Sequence, residues 1–354
     1  MLANPAWTEW EGVAVSYPRY YYPPGIWRAS YGGFFKAAIN RTFRKAVAEF
    51  KPDVVYGCFA YPDGWAACKL AREYGLPVGV KVHGSDLLLL NEHPGRKPPT
   101  IEMLREVDAI SAVSDDLRQC AVSQGTPEQR AHLIYEGTDR ELFCPGDRQA
   151  ARRALGLNHD GIRLLFVGNL VPVKAIDILI DCCAQLKAGG LRFEVDLVGE
   201  GHVRGQLQQQ ITRLGMADQI HFRGCKPKNE IPHWYRAADL VVLSSHSEGV
   251  PNVLVEAAAC GIPFVATNVG GIPEIAHLSP RALVPPNNPD ALARTLEDVL
   301  RNPAGTTTSV KSSEVSSIAD CADATLNLFS EILADRKSRA ETNRTPSLVA
   351  SGDA

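Results

Sequence analysis

Two glutamates eight positions apart, Glu248 and Glu256, lie in the stretch SEGVPNVLVE (247–256). Glu248 follows the apolar run DLVVLSS (239–245) directly and sits in a turn carrying Gly249 and Pro251. Pro251 and Asn252 are helix-starting residues, so NVLVEAAACG (252–261) reads as a helix with Glu256 about one turn inside it. The free N–H groups around Gly249 to Val253 can hold an anion such as a phosphate. A carboxylate one turn further in can accept two hydrogen bonds from a ribose diol. A loop charge and a solvated helix charge are the plainer reading of such a pair. The apolar neighbours Val253, Leu254, Val255, Ala257, Ala258 and Ala259 argue against solvation, because they describe a segment buried on most sides.

The elements that must position this pair follow from hydrophobic pattern. In the second half, RLLFVGN (163–169), FEVDLVGEG (193–201), IHFRG (220–224), DLVVLSS (239–245) and PFVAT (263–267) read as strands. They alternate with helical stretches at 175–190, about 203–214, 230–238, 252–261 and 290–302, several closed by glycine. The first half has the same rhythm. Helical spacing at 34–50 precedes strands at DVVYGC (53–58), PVGVKVHG (77–84), DAISAVS (108–114) and HLIYEG (132–137), with a helix at 63–75. Strand and helix in alternation predict a parallel sheet covered on both faces. The expectation is therefore α/β: two doubly wound Rossmann-like domains in tandem, with a cleft at the C-terminal ends of their sheets, where such sheets take ligands. The expected boundaries are 1–147 and 148–312, then a C-terminal helix at 313–335 for which a crossing back to the first domain is open, then a disordered tail at 336–354.

Bulk properties narrow the function. A chain of 354 residues accommodates about two domains. A formal net charge of -3 carries no basic footprint for nucleic acid. The nine cysteines show no CxxC and no metal spacing, which suits reduced thiols. With no long apolar span and no leader pattern, a cytoplasmic location is expected. Arg41, Arg44 and Lys45 form a basic run on a helix; a solvated face is the plainer reading, and peripheral contact with an anionic membrane the other.

The run IHFRGCKPKNEIPHWYRAADLVVLSSHSEGVPNVLVEAAACGIPFVATNVGGIPEI (220–275) resembles the retaining GT-B glycosyltransferases of family 4, also called glycosyl transferases group 1. The likeness extends to LLFVGNLVPVKAIDILI (164–180), VDLVGEG (195–201), HGSDL (83–87), SAVSDDLR (111–118) and YEGTDRELFCPGDR (135–148), over most of residues 50–300. It implies a nucleotide-diphosphate sugar, with uridine or guanosine as base, as donor, and a saccharide or lipid-linked hydroxyl as acceptor, in polysaccharide or glycolipid synthesis. By the resemblance, Glu256 binds the nucleotide ribose and Glu248 lies near the donor sugar. Gly249, Val250, Pro251, Asn252 and Val253 form the loop at sugar and phosphate. Lys174 takes the diphosphate, His83 faces the donor sugar, and the backbone of Gly224 and Cys225 brackets the nucleobase. Arg223 is expected to be merely solvated. Gly270, Gly271 and Glu274 are read as mostly architectural, and Asp86 as an acceptor or loop-capping group. No DxD-like motif is placed to serve the diphosphate, so metal-independent transfer is expected.

The chain departs from the family pattern in three places. Asn169 stands where an arginine is frequent, and asparagine lacks the permanent bidentate charge that arginine offers a phosphate. Ala175 replaces the usual glycine after the lysine. EGVAVSYPRYYYP (11–23) arrives almost at once, where the family first has two strands and a helix. The expectation is an incomplete first domain, which keeps open a second reading: a nucleotide-sugar-binding protein without transferase activity. A sugar-nucleotide epimerase of the same fold is a third.

Overall fold

The computed structural model describes residues 7–21, 30–88, 90, 94–158, 160–279, 283–302 and 310–342. It separates into two units: residues 1–113, 117–134 and 323–354 form one, and 114–116 with 135–322 form the other.

The first unit begins with a hairpin. Strands β1 (Trp7–Trp10) and β2 (Val13–Ser16) pair antiparallel. Glu11 and Gly12 between them both adopt positive φ, as a two-residue turn matched to strand twist requires. Next come α1 (Tyr31–Phe50), β3 (Val55–Cys58), α2 (Trp65–Glu73), β4 (Val78–Val82), the short α3 (Ser85–Leu88) and α4 (Lys97–Glu106). The strands β5 (Ala109–Ala112) and β6 (Ala131–Leu133) flank α5 (Asp115–Ser123). β3-β4-β5-β6 form a parallel sheet in that order. Its apolar runs are buried because helices cover the sheet: Val80, Val82 and Ile110 pack with Met103, Leu104 and Leu117, all fully buried or nearly so.

The second unit contains α6 (Arg148–Ala154), β7 (Ile162–Val167), α7 (Ile176–Ala188), β8 (Phe193–Val198), α8 (Arg204–Arg213) and β9 (Ile220–Gly224). It continues through α9 (Ile231–Ala237), β10 (Leu240–Leu243), α10 (Asn252–Ala259), β11 (Phe264–Thr267), β12 (Leu283–Val284) and α11 (Pro289–Arg301). The six strands are parallel in the order β12-β11-β10-β7-β8-β9. The chain thus builds outward from β7 first through β8 and β9, then returns to β10 on the other side. That reversal makes the C-terminal ends of β7 and β10 the switch point at which open parallel sheets take ligands. The loops leaving those two ends carry Lys174 and Glu248.

The structure adds detail to the expected bounds and corrects those of the last helix. By packing, 135–147 groups with the second unit: Arg236 donates to the carbonyls of Leu142 and Cys144 at 3.0 and 2.8 Å. The last helix, α12 (Ile318–Thr342), starts later than 313 and continues through 336–342, part of the expected tail; residues 343–354 lie outside the described ones. From Asp323 onward α12 groups with the first unit, where Phe329 packs edge-on against Tyr56 at 5.1 Å. Of EGVAVSYPRYYYP (11–23), residues 11–16 belong to the hairpin, while Tyr22 and Pro23 lie outside the described residues. Helices α4, α5 and α6 were not among the expected elements; α4 and α5 present Met103, Leu104, Leu117 and Ala121 to the first core. No helix among the described residues is long and apolar enough to cross a membrane.

Candidate functional site

Lys174 and Glu248 meet directly. Lys174 Nζ lies 2.6 Å from Glu248 Oε1, and Ser245 Oγ donates to the same oxygen at 2.5 Å. The backbone holds the two loops at this separation. His246 N donates to the Val173 carbonyl at 2.8 Å, and Ser244 Oγ donates to the carbonyls of Lys174 and Ala175. Thr267 Oγ1, at the end of β11, donates to the Ser245 carbonyl at 2.6 Å. The Glu248 loop is therefore held on one side by Thr267 of β11 and on the other by the 173–175 backbone that follows β7. Ala175 sits in the left-handed region (φ 46°), where a Cβ crowds the following carbonyl, which accounts for the glycine usual at this place.

Glycines set the shape of the same surface. A Cβ on Gly270 would lie 1.8 Å from the Glu248 carbonyl oxygen. Gly271 N donates to the Gly249 carbonyl at 3.0 Å, and a Cβ there would lie 2.8 Å from it. The Gly270-Gly271 turn is thus a backbone platform pressed against the turn that carries Glu248. Glu274, in the same turn, accepts from the amides of Asp115 and Asp116 at 2.8 and 3.1 Å and from Tyr135 Oη at 2.9 Å. Burial, followed by Glu274, pushes the Tyr135 phenol up to about 12, so it remains a donor across the physiological range. Glu274 is an anchor, and nothing local in the sequence marks its three partners.

Helix α10 begins with Pro251 as its cap residue, with no side-chain cap on its first amides. Asn252 is exposed and Val253 half-buried, while Leu254, Val255 and Ala257 to Ala259 are buried. Glu256 is half-buried on this otherwise apolar helix. Its Oε2 accepts a 2.8 Å hydrogen bond from Tyr235 Oη, from fully buried Tyr235 on α9. Burial raises the Glu256 carboxyl above the usual range; the Tyr235 bond and the Lys228 charge oppose the rise. Sequence reasoning missed Tyr235, because IPHWYRAA reads as helix core and the destination of one hydroxyl is a tertiary fact.

Gly224 ends β9 at φ 71°, and its carbonyl accepts from Gly199 N at 2.9 Å, so Gly224 and exposed Cys225 lie at the C-terminal edge of the sheet. Asn169 follows β7, exposed, with its carbonyl receiving Val171 N. Arg223 is not merely solvated. Its Nε donates to Asp196 Oδ1 at 2.6 Å while its guanidinium lies 5.6 Å from the Trp234 ring centre. Asp196 in turn receives Arg163 at 2.7 Å.

His83 belongs to the first unit. The amides of His83, Gly84 and Ala60 converge on the Asp86 carboxylate at 3.1, 2.8 and 3.0 Å, so Asp86 acts as the loop cap. The His83 ring lies 4.5 Å from the Phe59 ring.

Residues 147–314 match the family model described as Glycosyl transferases group 1, and residues 5–142 that described as Glycosyltransferase Family 4. The chain is 33% identical over 273 residues to a D-inositol 3-phosphate glycosyltransferase of Frankia alni, covering 71% of this chain and 66% of that protein. It is 34% identical over 263 residues to D-inositol 3-phosphate glycosyltransferase 1 of Catenulispora acidiphila, covering 68% and 62%. The match therefore spans less than two thirds of either relative's length. Among solved structures, sucrose-phosphate synthase of Thermosynechococcus elongatus superposes with a TM-score of 0.77 at 21% identity, covering 96% of this chain and 86% of that one. Anabaena HepE, in complex with UDP and glucose, superposes with 0.73 at 22%, covering 83% and 81%. At these identities the structures establish the fold alone: two Rossmann-like units of the GT-B type.

Proposed function

The chain belongs to the glycosyl transferases group 1 family, and from that premise we propose that it moves a sugar from a nucleotide-diphosphate sugar to an acceptor hydroxyl with retention of configuration. The observation that carries this reading is the arrangement at the switch point: Glu248 on Lys174 before α10, and Glu256 on Tyr235 one turn inside it. One short segment then addresses the sugar with Glu248, the diphosphate with the α10 start beside Lys174 of the neighbouring loop, and the ribose with Glu256. Gly224 and Cys225 bracket the base. HepE, crystallised with UDP-glucose, supports a uridine nucleotide as the first donor to test, with a guanosine nucleotide as the alternative.

In the proposed reaction the anomeric C–O bond to the diphosphate breaks while the acceptor oxygen bonds to the same carbon from the same face. The acceptor's proton passes to the departing phosphate oxygen. Charge grows on the diphosphate as the bond opens, and a cation with helix-end amides stabilises that state more than the ground state. Lys174 and the amides of the 249–253 loop supply this here, so transfer is proposed to need no metal; full activity in EDTA is the expected result. His83 keeps its proposed role at the transferred sugar, and His83→Ala is expected to lower turnover. The relatives named for D-inositol 3-phosphate make a phosphorylated polyol the first acceptor to screen, ahead of saccharides and lipid-linked acceptors.

The decisive test is calorimetric titration of UDP and GDP into wild type and Glu256→Ala. Loss of binding in the variant is expected, and unchanged affinity sinks the ribose assignment. Donor turnover with an acceptor screen separates a transferase from a binding protein.

A further inference from the structure

We propose that Tyr235 is a positioning residue for the donor's ribose: its buried hydroxyl fixes one oxygen of Glu256, leaving Oε1 as the oxygen available to the diol. The proposal rests on the ribose reading of Glu256 and adds the group that gives this carboxylate its orientation.

A glutamate on a helix has three side-chain torsions, and a free carboxylate on that tether samples many orientations. Tyr235 has no such freedom. It is 0% exposed, lies on α9, and its ring packs against Phe143 at 6.0 Å with the planes inclined by 63°. Its hydroxyl reaches Glu256 Oε2 at 2.8 Å, across from one helix to another. A carboxylate has about four acceptor sites, so this bond uses one and leaves one on Oε2 and two on Oε1. That is the capacity a vicinal diol needs.

The direction of the bond is also set. Burial, then the neighbouring Glu256, raises the Tyr235 phenol well above its ordinary value, so it stays protonated and donates. The groups facing this pair are few. Lys228, exposed on the loop after β9, favours the ionised carboxylate. Cys260, one turn beyond Glu256, is a thiol pushed by burial up to about 12, and stays neutral. Tyr235 and Lys228 together therefore oppose the burial that favours the neutral acid, and the phenol is the nearer of the two influences in bonding terms.

Tyr235→Phe removes one oxygen and keeps the buried ring. UDP and GDP are first titrated into wild type, and the tighter of the two, with its 2′,3′-dideoxy form, serves as probe. In Tyr235→Phe the affinity for the parent nucleotide is expected to fall about tenfold, the scale of one hydrogen bond to a charged group. Discrimination between parent and dideoxy nucleotide should shrink. The acid limb of binding should move to higher pH, because the carboxyl loses a bond that favours its ionised form. Wild-type affinity and an unmoved acid limb in Tyr235→Phe overturn the proposal while leaving Glu256's own role intact. Equal weakening of parent and dideoxy forms, with discrimination retained, marks a packing role and also overturns it. Unaltered binding in Glu256→Ala removes the ribose reading and the positioning role together.

Discussion

Lys174 and Glu248 form an ion pair at 2.6 Å across the ends of the two strands where the second sheet reverses its order. Their side chains are 21% and 10% exposed, so the pair is shielded but not sealed. A lysine proposed to neutralise a diphosphate is thus already held, by a carboxylate proposed to address the sugar. Each keeps the other extended toward the same point before any donor arrives.

The charges of this pair separate experimentally. Glu248→Gln leaves Lys174 without its anion, so affinity for free nucleoside diphosphate should rise several-fold while kcat falls. Lys174→Met should weaken nucleotide binding and cut kcat/KM by about 100-fold or more, the scale for removing one group that stabilises developing negative charge. Weaker nucleotide binding in Glu248→Gln contradicts this account and makes Glu248 a scaffold for its loop.

Gly270→Ala should damage the site through backbone alone. The added carbon meets the Glu248 carbonyl oxygen, which no side-chain rotation relieves, and φ at Gly270 is 51°. Nucleotide affinity should drop at least tenfold in calorimetry, with lower urea resistance. Gly33→Ala is the control: it lies in α1 with nothing within 4 Å of the new Cβ, and alanine should stabilise the helix by about 0.5–1 kcal/mol. Equal behaviour of the two variants contradicts the platform.

The Arg163–Asp196 pair is nearly sealed, with side chains 4% and 1% exposed, and Arg223 bonds the other oxygen of Asp196. Asp196→Asn leaves Arg163 with the Glu194 carboxylate at 2.6 Å and deprives Arg223 of its anion, and should cost about 1–3 kcal/mol in urea unfolding. Replacing both residues together, as Arg163→Met with Asp196→Leu, should cost less than that single change. A single variant of near wild-type stability shows that the pair is solvated.

Ala175→Gly should raise stability by up to about 1 kcal/mol, because glycine enters the left-handed region without the Cβ penalty that alanine carries at φ 46°. A thermal melt reads the change. A lowered melting temperature means that alanine's smaller unfolded-state freedom outweighs the strain.

Much of the architecture was legible in local pattern. The buried strands of a parallel sheet are continuous apolar runs, so IHFRG and DLVVLSS appear in the structure at or within a residue or two of their expected bounds. The helix after Glu248 starts at Asn252 because Pro251 and Asn252 are short-range signals. The short helices α4 to α6 and the hairpin at 7–16 were not legible, since seven to ten helical residues, or two four-residue strands, hold too few repeats for a period to stand out.

The sequence alone determined the residue types, their order, and the eight-residue spacing that sets Glu248 and Glu256 on either side of the start of α10. Only tertiary structure decided their partners. Glu248 meets Lys174 because β7 and β10, 76 residues apart at their paired positions Leu164 and Leu240 and further along the chain than any local signal reaches, lie side by side in the sheet. Glu256 meets Tyr235, Glu274 meets Tyr135, and Arg223 meets Asp196 for the same reason. Hydrophobic period is written within a few residues of each position, whereas a hydrogen bond between distant side chains exists only once the sheet order has brought them together.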